Sequence, residues 1–338
     1  MSLESPLSQT FGVEIECIAK CSPLQVELAK MAVPPQRFQQ ARRGIVNAIY
    51  SLFMAAQIPI NNPLETYGVS NYLKWSIWED ASIREGEEDL GWVGTYQYFG
   101  LEIISRVLQP DAEGLQEVFN VLDILSTQFN LITNRSTGLH VHVGNGTEGF
   151  PLPTLKKLAQ LVTGFEHIIH SLHPDYRLEE REVSRFCEPP SESRYLQSQN
   201  PFEKMLCIEE VDSLEEFLEV MNPGMSRAFA YNFQNLDPWE ESGSKTIEFR
   251  QHAGTVNAAE IIAWIEFMTG LVSFSHEVSS VQHIAICMAR VTDDKFSILD
   301  LMKLIGKKHL VEYYRDRFHM RQRPDIIVNW METVRTDL

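Results

Sequence analysis

Residues 11–17 read FGVEIEC, and the spacing of their side chains decides what kind of sheet this chain builds. Successive side chains of a strand point to opposite faces, so Glu14 and Glu16 share one face while Val13, Ile15 and Cys17 form the other. The apolar face predicts a core contact. The acidic face predicts either a solvated outer edge or a bound cation, and the stretch alone is compatible with both.

Working outward, three more strands repeat the pattern. GLHVHVG (138–144) puts His140 and His142 on one face and Leu139, Val141 and Val143 on the other, as metal ligands, phosphate contacts or a hydrogen-bonded pair beside a sheet. TIEFRQH (246–252) alternates Glu248, Arg250 and His252 with Ile247, Phe249 and Gln251, which suits a surface salt-bridge strand or a site holding a metal and a phosphate together. In YFGLEIISR (98–106), Glu102 stands in an apolar run with Gly100 and Arg106 on its own face. Burying it requires a cation or a donor, unless it pairs with Arg106 at a sheet edge. Four coincident acid or imidazole faces argue for one concave surface carrying Glu14, Glu16, Glu102, His140, His142, Glu248 and Arg250. Its donors suit Mg²⁺, or Mn²⁺ if an imidazole ligates, and would cradle a polyphosphate.

The rest of the chain frames that surface. At 338 residues one elaborated domain or two small ones are possible, and 44% hydrophobic with 22% charged residues predicts a globular protein. A net charge of −17 argues against a nucleic-acid partner, and an anionic ligand would need metal ions as intermediaries. The start, MSLESPLSQT, lacks a basic region followed by an apolar run, and no apolar stretch reaches membrane-spanning length, so the expectation is cytoplasmic with no membrane contact. Five cysteines without a CxxC pair predict reduced thiols. Apolar periodicity predicts helices over 36–57, 112–130, 153–172 and 257–275, and near 294–305 and 308–319. Strands are expected over 10–19, 72–83, 94–108, 138–146, 226–236 and 245–254, with an irregular segment from 174 to 212. This mixture without strict β-α-β alternation favours an antiparallel α+β sheet.

FGVEIE, EDASI, YFGLEIISRVL, STGLHVHVG and TIEFRQHAGT, in that order and followed by AAEIIAWIEFMTGLVSFS, resemble the amidoligase family of the glutamine synthetase-like carboxylate-amine ligase superfamily. The resemblance implies a single catalytic domain over 1–338, with core motifs at 11–275, an insert at 174–212 and a helical segment at 280–338. It implies an antiparallel, partly barrel-like sheet of the glutamine synthetase catalytic type, helices packed on its outer face, and ATP and divalent metals on the concave face. The implied reaction activates a carboxylate as an acyl phosphate and passes it to an amine. The carboxylate belongs to a small acid, amino acid or peptide. By similarity, Glu14, His140 and Glu248 would hold one metal and Glu16 and Glu102 the second. His142 would approach the ATP phosphates, and Arg250 would stabilise the transferring phosphoryl group. Ala81 and Arg106 depart from the family's usual Gly and Pro at those turns.

Other residues carry open readings. Asp80 could deprotonate the amine or cap a turn. Arg177, Arg181, Arg185 and Arg194 could receive a substrate carboxylate or ATP phosphates, or make local ion pairs in a solvated loop. Asn232 and Asn235 either line the cleft or satisfy backbone at a strand end. Two competing functions use the same residues: a metal-dependent hydrolase without nucleotide, and a nucleotide-binding module that has lost turnover.

Overall fold

The computed structural model describes residues 5–33, 40–63, 72–85, 96–179, 183, 185–197, 199–239, 244–292 and 296–322. Its spine is β1 (Gln9–Cys21), the 13-residue strand that contains FGVEIEC. On one side β1 pairs with β3 (Gln97–Ile104), which pairs with β2 (Ser76–Glu79); on the other it pairs with β5 (Gly138–Asn145). Beyond β5 lie β7 (Thr246–Ala253) and the short β6 (Tyr231–Asn232), while β4 (Asn130–Ile132) also pairs with β1. Every pairing is antiparallel. The order β2-β3-β1-β5-β7-β6 leaves β2 and β6 as edges, so the sheet is open rather than closed into a barrel.

The apolar face of each strand builds the core as alternation predicts. Phe11, Val13, Ile15, Leu101, Ile103, Val141, Val143, Ile247 and Phe249 are all buried. The helix Ala258–Glu277 packs against β1 and β5 and spends Ile261, Trp264, Ile265, Phe267, Met268, Leu271 and Val272 there. By length and hydropathy this helix would be apolar enough to cross a membrane, but 61% of its apolar window is already buried inside the protein. Cys17 lies in the core, where burial pushes its thiol up to about 12, and Cys21 is pushed up to about 11 for the same reason.

Several expectations are corrected. The helix Pro23–Met31 was not anticipated, although Ser22, Pro23 and Gln25 form a capping box with proline at the first turn. The segment 174–212 contains the helix Pro201–Glu209, started by an Asn200–Glu203 capping box. Helices Leu214–Met221 and Ser280–Thr292 are also additional. The 153–172 helix divides at Phe165 into Leu152–Gly164 and Glu166–His170. Most of the 226–236 strand does not form: the Asn222 side chain donates to the Tyr231 carbonyl and accepts from Phe233 N–H, and a 3₁₀ turn follows at Gln234–Leu236. The second helix runs Gln40–Ala55, with its expected start at Pro34 and Pro35 outside the described residues, as are most of the 85–92 loop and Arg181.

The most consequential correction is on β7. Between Val141–Phe249 and Leu139–His252 the β5–β7 register shifts, so that Arg250 and Gln251 together oppose His140. Such a bulge inverts the facing of every later side chain. His252 therefore leaves the Glu248–Arg250 face and packs against Trp264 on the helix side, with ring centroids 5.1 Å apart.

Candidate active site

Directly paired residues on adjacent strands share a face, and the register lays a polar belt obliquely across the sheet. Glu102 opposes Glu16, Glu14 opposes His140, His142 opposes Glu248, and Glu248 opposes Asn232. Glu14 is its hub. His140 Nδ1 donates to Glu14 Oε2 at 3.1 Å, and His142 Nε2 lies 3.1 Å from Glu14 Oε1 without hydrogen-bond alignment. Glu248 receives Asn232 Nδ2 on Oε2 at 2.7 Å and the Arg250 guanidinium on Oε1. Glu16 accepts Gly138 N–H at 2.6 Å and stands 3.6 Å from His140 Nε2.

Charge is divided unevenly along this belt. Burial alone would raise the Glu14 carboxyl, but His142 and His140 hold it well below its usual range. Glu248 is also buried, and His142 and Arg250 keep it low. Burial works against a charge on His142, yet Glu14 and Glu248 raise it above its usual value. Among the described residues no ion pair offsets Glu102. Its burial, with Glu14, Glu16, Asp80 and Glu248 nearby, pushes its carboxyl up to about 9.

That frustration is what a divalent cation would relieve. Among the described residues, three sets of ligand atoms lie within 4.8 Å of one another: Glu14, Glu102 and His140; Glu14, His142 and Glu248; Glu16, Asp80 and Glu102. Carboxylate oxygens with an imidazole are donors suited to Mg²⁺ or Mn²⁺. Two details fit the same group. His142 Nε2 is buried without a hydrogen bond. Gly138 keeps space clear, since a Cβ there would lie 3.0 Å from His140 Nε2 and 3.4 Å from Glu16 Oε2.

Two cavities flank the belt, and Arg250 lines both. One, of about 240 Å³, combines Glu14, His142 and Glu248 with Phe11, Val13, Tyr72, Ile104 and Val107, so it offers a charged end and an apolar wall. The other, of about 290 Å³, lies beside Glu16, His140 and Arg177.

The remaining residues singled out in the sequence take specific places. Asp80 Oδ1 caps its turn by accepting Ser82 N–H at 2.7 Å, and its carboxylate also belongs to the Glu16–Glu102 group. Arg177 is buried and donates to the carbonyls of Arg250 at 2.8 Å and Gln251 at 3.3 Å, clamping the bulge that presents Arg250. Asn232 is fully buried behind Glu248, which it orients. Asn235 reaches Thr246 Oγ1 at 3.4 Å and lines the first cavity. Arg194 pairs with Glu219 on the surface, and Arg106 pairs with Glu117 rather than Glu102. Sequence reasoning missed Tyr72, Arg227 and Arg84, which line the cavities from outside the four acid- and imidazole-bearing strands that marked the site.

An open antiparallel sheet thus brings carboxylates, imidazoles and an arginine together on one face, between two cavities. The chain belongs to a family described as "Putative amidoligase enzyme", whose model matches residues 7–272. The four motif strands β1, β3, β5 and β7 all fall inside that match. No curated protein matches the chain.

Proposed function

We propose that this protein is an ATP-dependent carboxylate–amine ligase, built on a sheet of the glutamine synthetase catalytic type, that forms an amide through an acyl phosphate. The acid is a small molecule, amino acid or peptide, and the second substrate is an amine or ammonia. The observation that carries this reading is the pair of cavities meeting at Arg250 across a metal-competent belt. A hydrolase would use the same donors to activate water, but it would give the second cavity no occupant.

In this reading the cavity with the apolar wall takes the nucleotide, and His142 approaches its phosphates. Mg²⁺ or Mn²⁺ would be held by Glu14, His140 and Glu248 on one side and by Glu16 and Glu102 on the other, supplying charge neutralisation during transfer. A carboxylate oxygen of the acid attacks the γ-phosphorus, the bond to the bridging oxygen breaks and ADP departs. Arg250, fixed by Glu248 and by the Phe186 carbonyl at 3.2 Å, offsets the negative charge that spreads over the phosphoryl oxygens. The amine nitrogen then attacks the acyl carbon, loses a proton towards Asp80, and inorganic phosphate leaves. Arg177 and Asn232 act behind these groups, as positioning residues for Arg250 and Glu248.

The test is calorimetric titration with ATP in Mg²⁺, in Mn²⁺ and in chelator, on the native chain and on Glu248→Gln. Binding that needs a divalent cation and is lost in the variant is expected, together with a fall in ADP release of at least about 100-fold. Unchanged binding in chelator would remove the ligase reading.

A further inference from the structure

β2 ends at Glu79, paired with Leu101, while β3 continues past that pair towards Gln97. Gly100, the next residue of β3, is buried, and the loop 80–85 takes both of its backbone groups. Its N–H donates to Glu85 Oε1, and its carbonyl accepts Asp80 N–H at 3.4 Å. The loop can close in because residue 100 is glycine. A Cβ there would lie 2.9 Å from Ile83 Cβ and 3.1 Å from the Asp80 carbonyl oxygen.

Glu85 is the charged member of this anchorage. One carboxylate oxygen accepts the Gly100 N–H and the other accepts an Arg42 guanidinium N–H at 2.8 Å, so the helix Gln40–Ala55 stands behind the bond. Hydrogen bonds to an ionised acceptor are the stronger kind. Two further contacts act on the same loop. Ile83 is buried with Ile18 and Tyr98 in an apolar cluster separate from the main core. The Arg84 N–H donates to Ser136 Oγ at 2.9 Å, and the Arg84 carbonyl accepts Asn134 Nδ2 at 2.7 Å. What the loop presents is Asp80, whose carboxylate lies within 4.8 Å of those of Glu16 and Glu102. Glu16 and Glu102 face one another through the register of β1 and β3, so strand pairing alone places them. Asp80 comes from the loop and owes its place to the anchorage.

We propose that Glu85, backed by Arg42, is a positioning residue: its carboxylate latches the 80–85 loop onto Gly100 and keeps Asp80 beside Glu16 and Glu102, where it completes the second cation group. The inference rests on the ligase reading only for the part of Asp80 in the amine step. The latch itself is a property of the loop and β3, and it acts on the cation at Glu16 and Glu102 without touching the one held by Glu14 and Glu248.

Hydrogen exchange at the Gly100 amide reads the latch without cation or substrate, and titration with Mn²⁺ reads its consequence without turnover. Both are run on the native chain, Glu85→Ala, Glu85→Gln and Arg42→Gln, with melting curves to check that each variant keeps its fold. Glu85→Ala is expected to speed exchange at Gly100 at least about ten-fold and to weaken one of two Mn²⁺ ions about 10- to 100-fold, while the ion held by Glu14 and Glu248 keeps its affinity. Glu85→Gln, which can still accept from Gly100, and Arg42→Gln, which leaves that bond without its support, are expected to fall between the native chain and Glu85→Ala. A merely destabilised protein would weaken both ions together. Unchanged exchange in Glu85→Ala, fewer than two ions on the native chain, Mn²⁺ affinity that survives loss of the latch, or equal weakening of both ions overturns the inference. The variants are then assayed for ADP release with acids and amines. If the exchange and Mn²⁺ results hold but no acid and amine support ADP release by the native chain, the ligase reading fails and the latch stands. ADP release as fast in Glu85→Ala as in the native chain removes the latch and leaves the ligase reading in place.

Discussion

Two histidines on opposite faces of the β5–β7 pair, His142 half-buried and His252 buried, behave in opposite ways. His142 lies among Glu14, Glu248 and Arg250, and the carboxylates lift its basicity in spite of burial. His252, inverted by the bulge, lies among His173 and Trp264 with ring centroids 5.0 and 5.1 Å away. Glu260 is 3.6 Å from His252 but is itself paired with Arg317, so burial prevails and the imidazole is held down at about 4. His170, behind the same strand, is also pushed down by burial to about 4. The same residue type within one sheet is a charge carrier on one face and an apolar packing group on the other. What differs is the charge beside each ring: Glu14 and Glu248 both act on His142, whereas Glu260, near His252, is neutralised by Arg317.

The comparison can be broken first at its functional end. Arg250→Ala should reduce turnover by about 10³-fold while changing nucleotide affinity much less, because the guanidinium acts on charge that develops during transfer. Parallel losses in kcat and in ATP affinity, measured by steady-state kinetics and calorimetry, would contradict that role. Asn232→Ala comes next: freeing Glu248 Oε2 from its buried donor should cost about 10- to 100-fold in cation affinity, which titration with Mn²⁺ reads directly. An unchanged affinity would mean that Glu248 needs no support from behind.

The two remaining predictions concern stability and have opposite signs. Glu102 is raised in the folded state, so the stability it contributes is complete below the ordinary carboxylate value of 4.5 and is lost as pH rises towards about 9. Glu102→Gln should therefore raise the melting temperature at pH 8 in chelator by a few degrees, and should diminish the further rise caused by Mg²⁺. A variant that melts lower than the native protein in chelator would refute the charge crowding. On the helix side, His252 and His170 are depressed, so their contribution is complete above the usual 6.5 and is lost as pH falls towards about 4. His252→Phe should flatten the dependence of melting temperature on pH between those values and leave the slope above 6.5 to the concave face. A slope unchanged from the native protein between pH 6.5 and 4 would place the acid-sensitive groups elsewhere, since His170 alone should retain only part of it.

Much of the belt was legible because it obeys a local rule. Period-two alternation in FGVEIEC, GLHVHVG and the first half of TIEFRQH already separates acids and imidazoles from core side chains, and pairing preserves that separation across the sheet. The rule fails where a tertiary contact overrides it. The bulge in β7 turns His252 away and is clamped from outside by Arg177, near the start of the segment 174–212, where no periodicity marks which way a side chain faces. Asn222 cuts the expected 226–236 strand to two residues by capturing its backbone, which leaves Asn232 behind Glu248 instead of in an open cleft.

The sequence by itself determined which residues face a common surface, the antiparallel mixture of strands and helices, and membership of a family through motifs that are contiguous in the chain. Only the tertiary structure decided which acids crowd Glu102, that Arg250 stands between two cavities, and that Arg84 and Arg185 converge on one of them. Facing is set by backbone geometry within a few residues. Crowding, cavities and the meeting of loops depend on distances between segments far apart in the chain, which only the packed sheet brings within the few ångströms over which charges act.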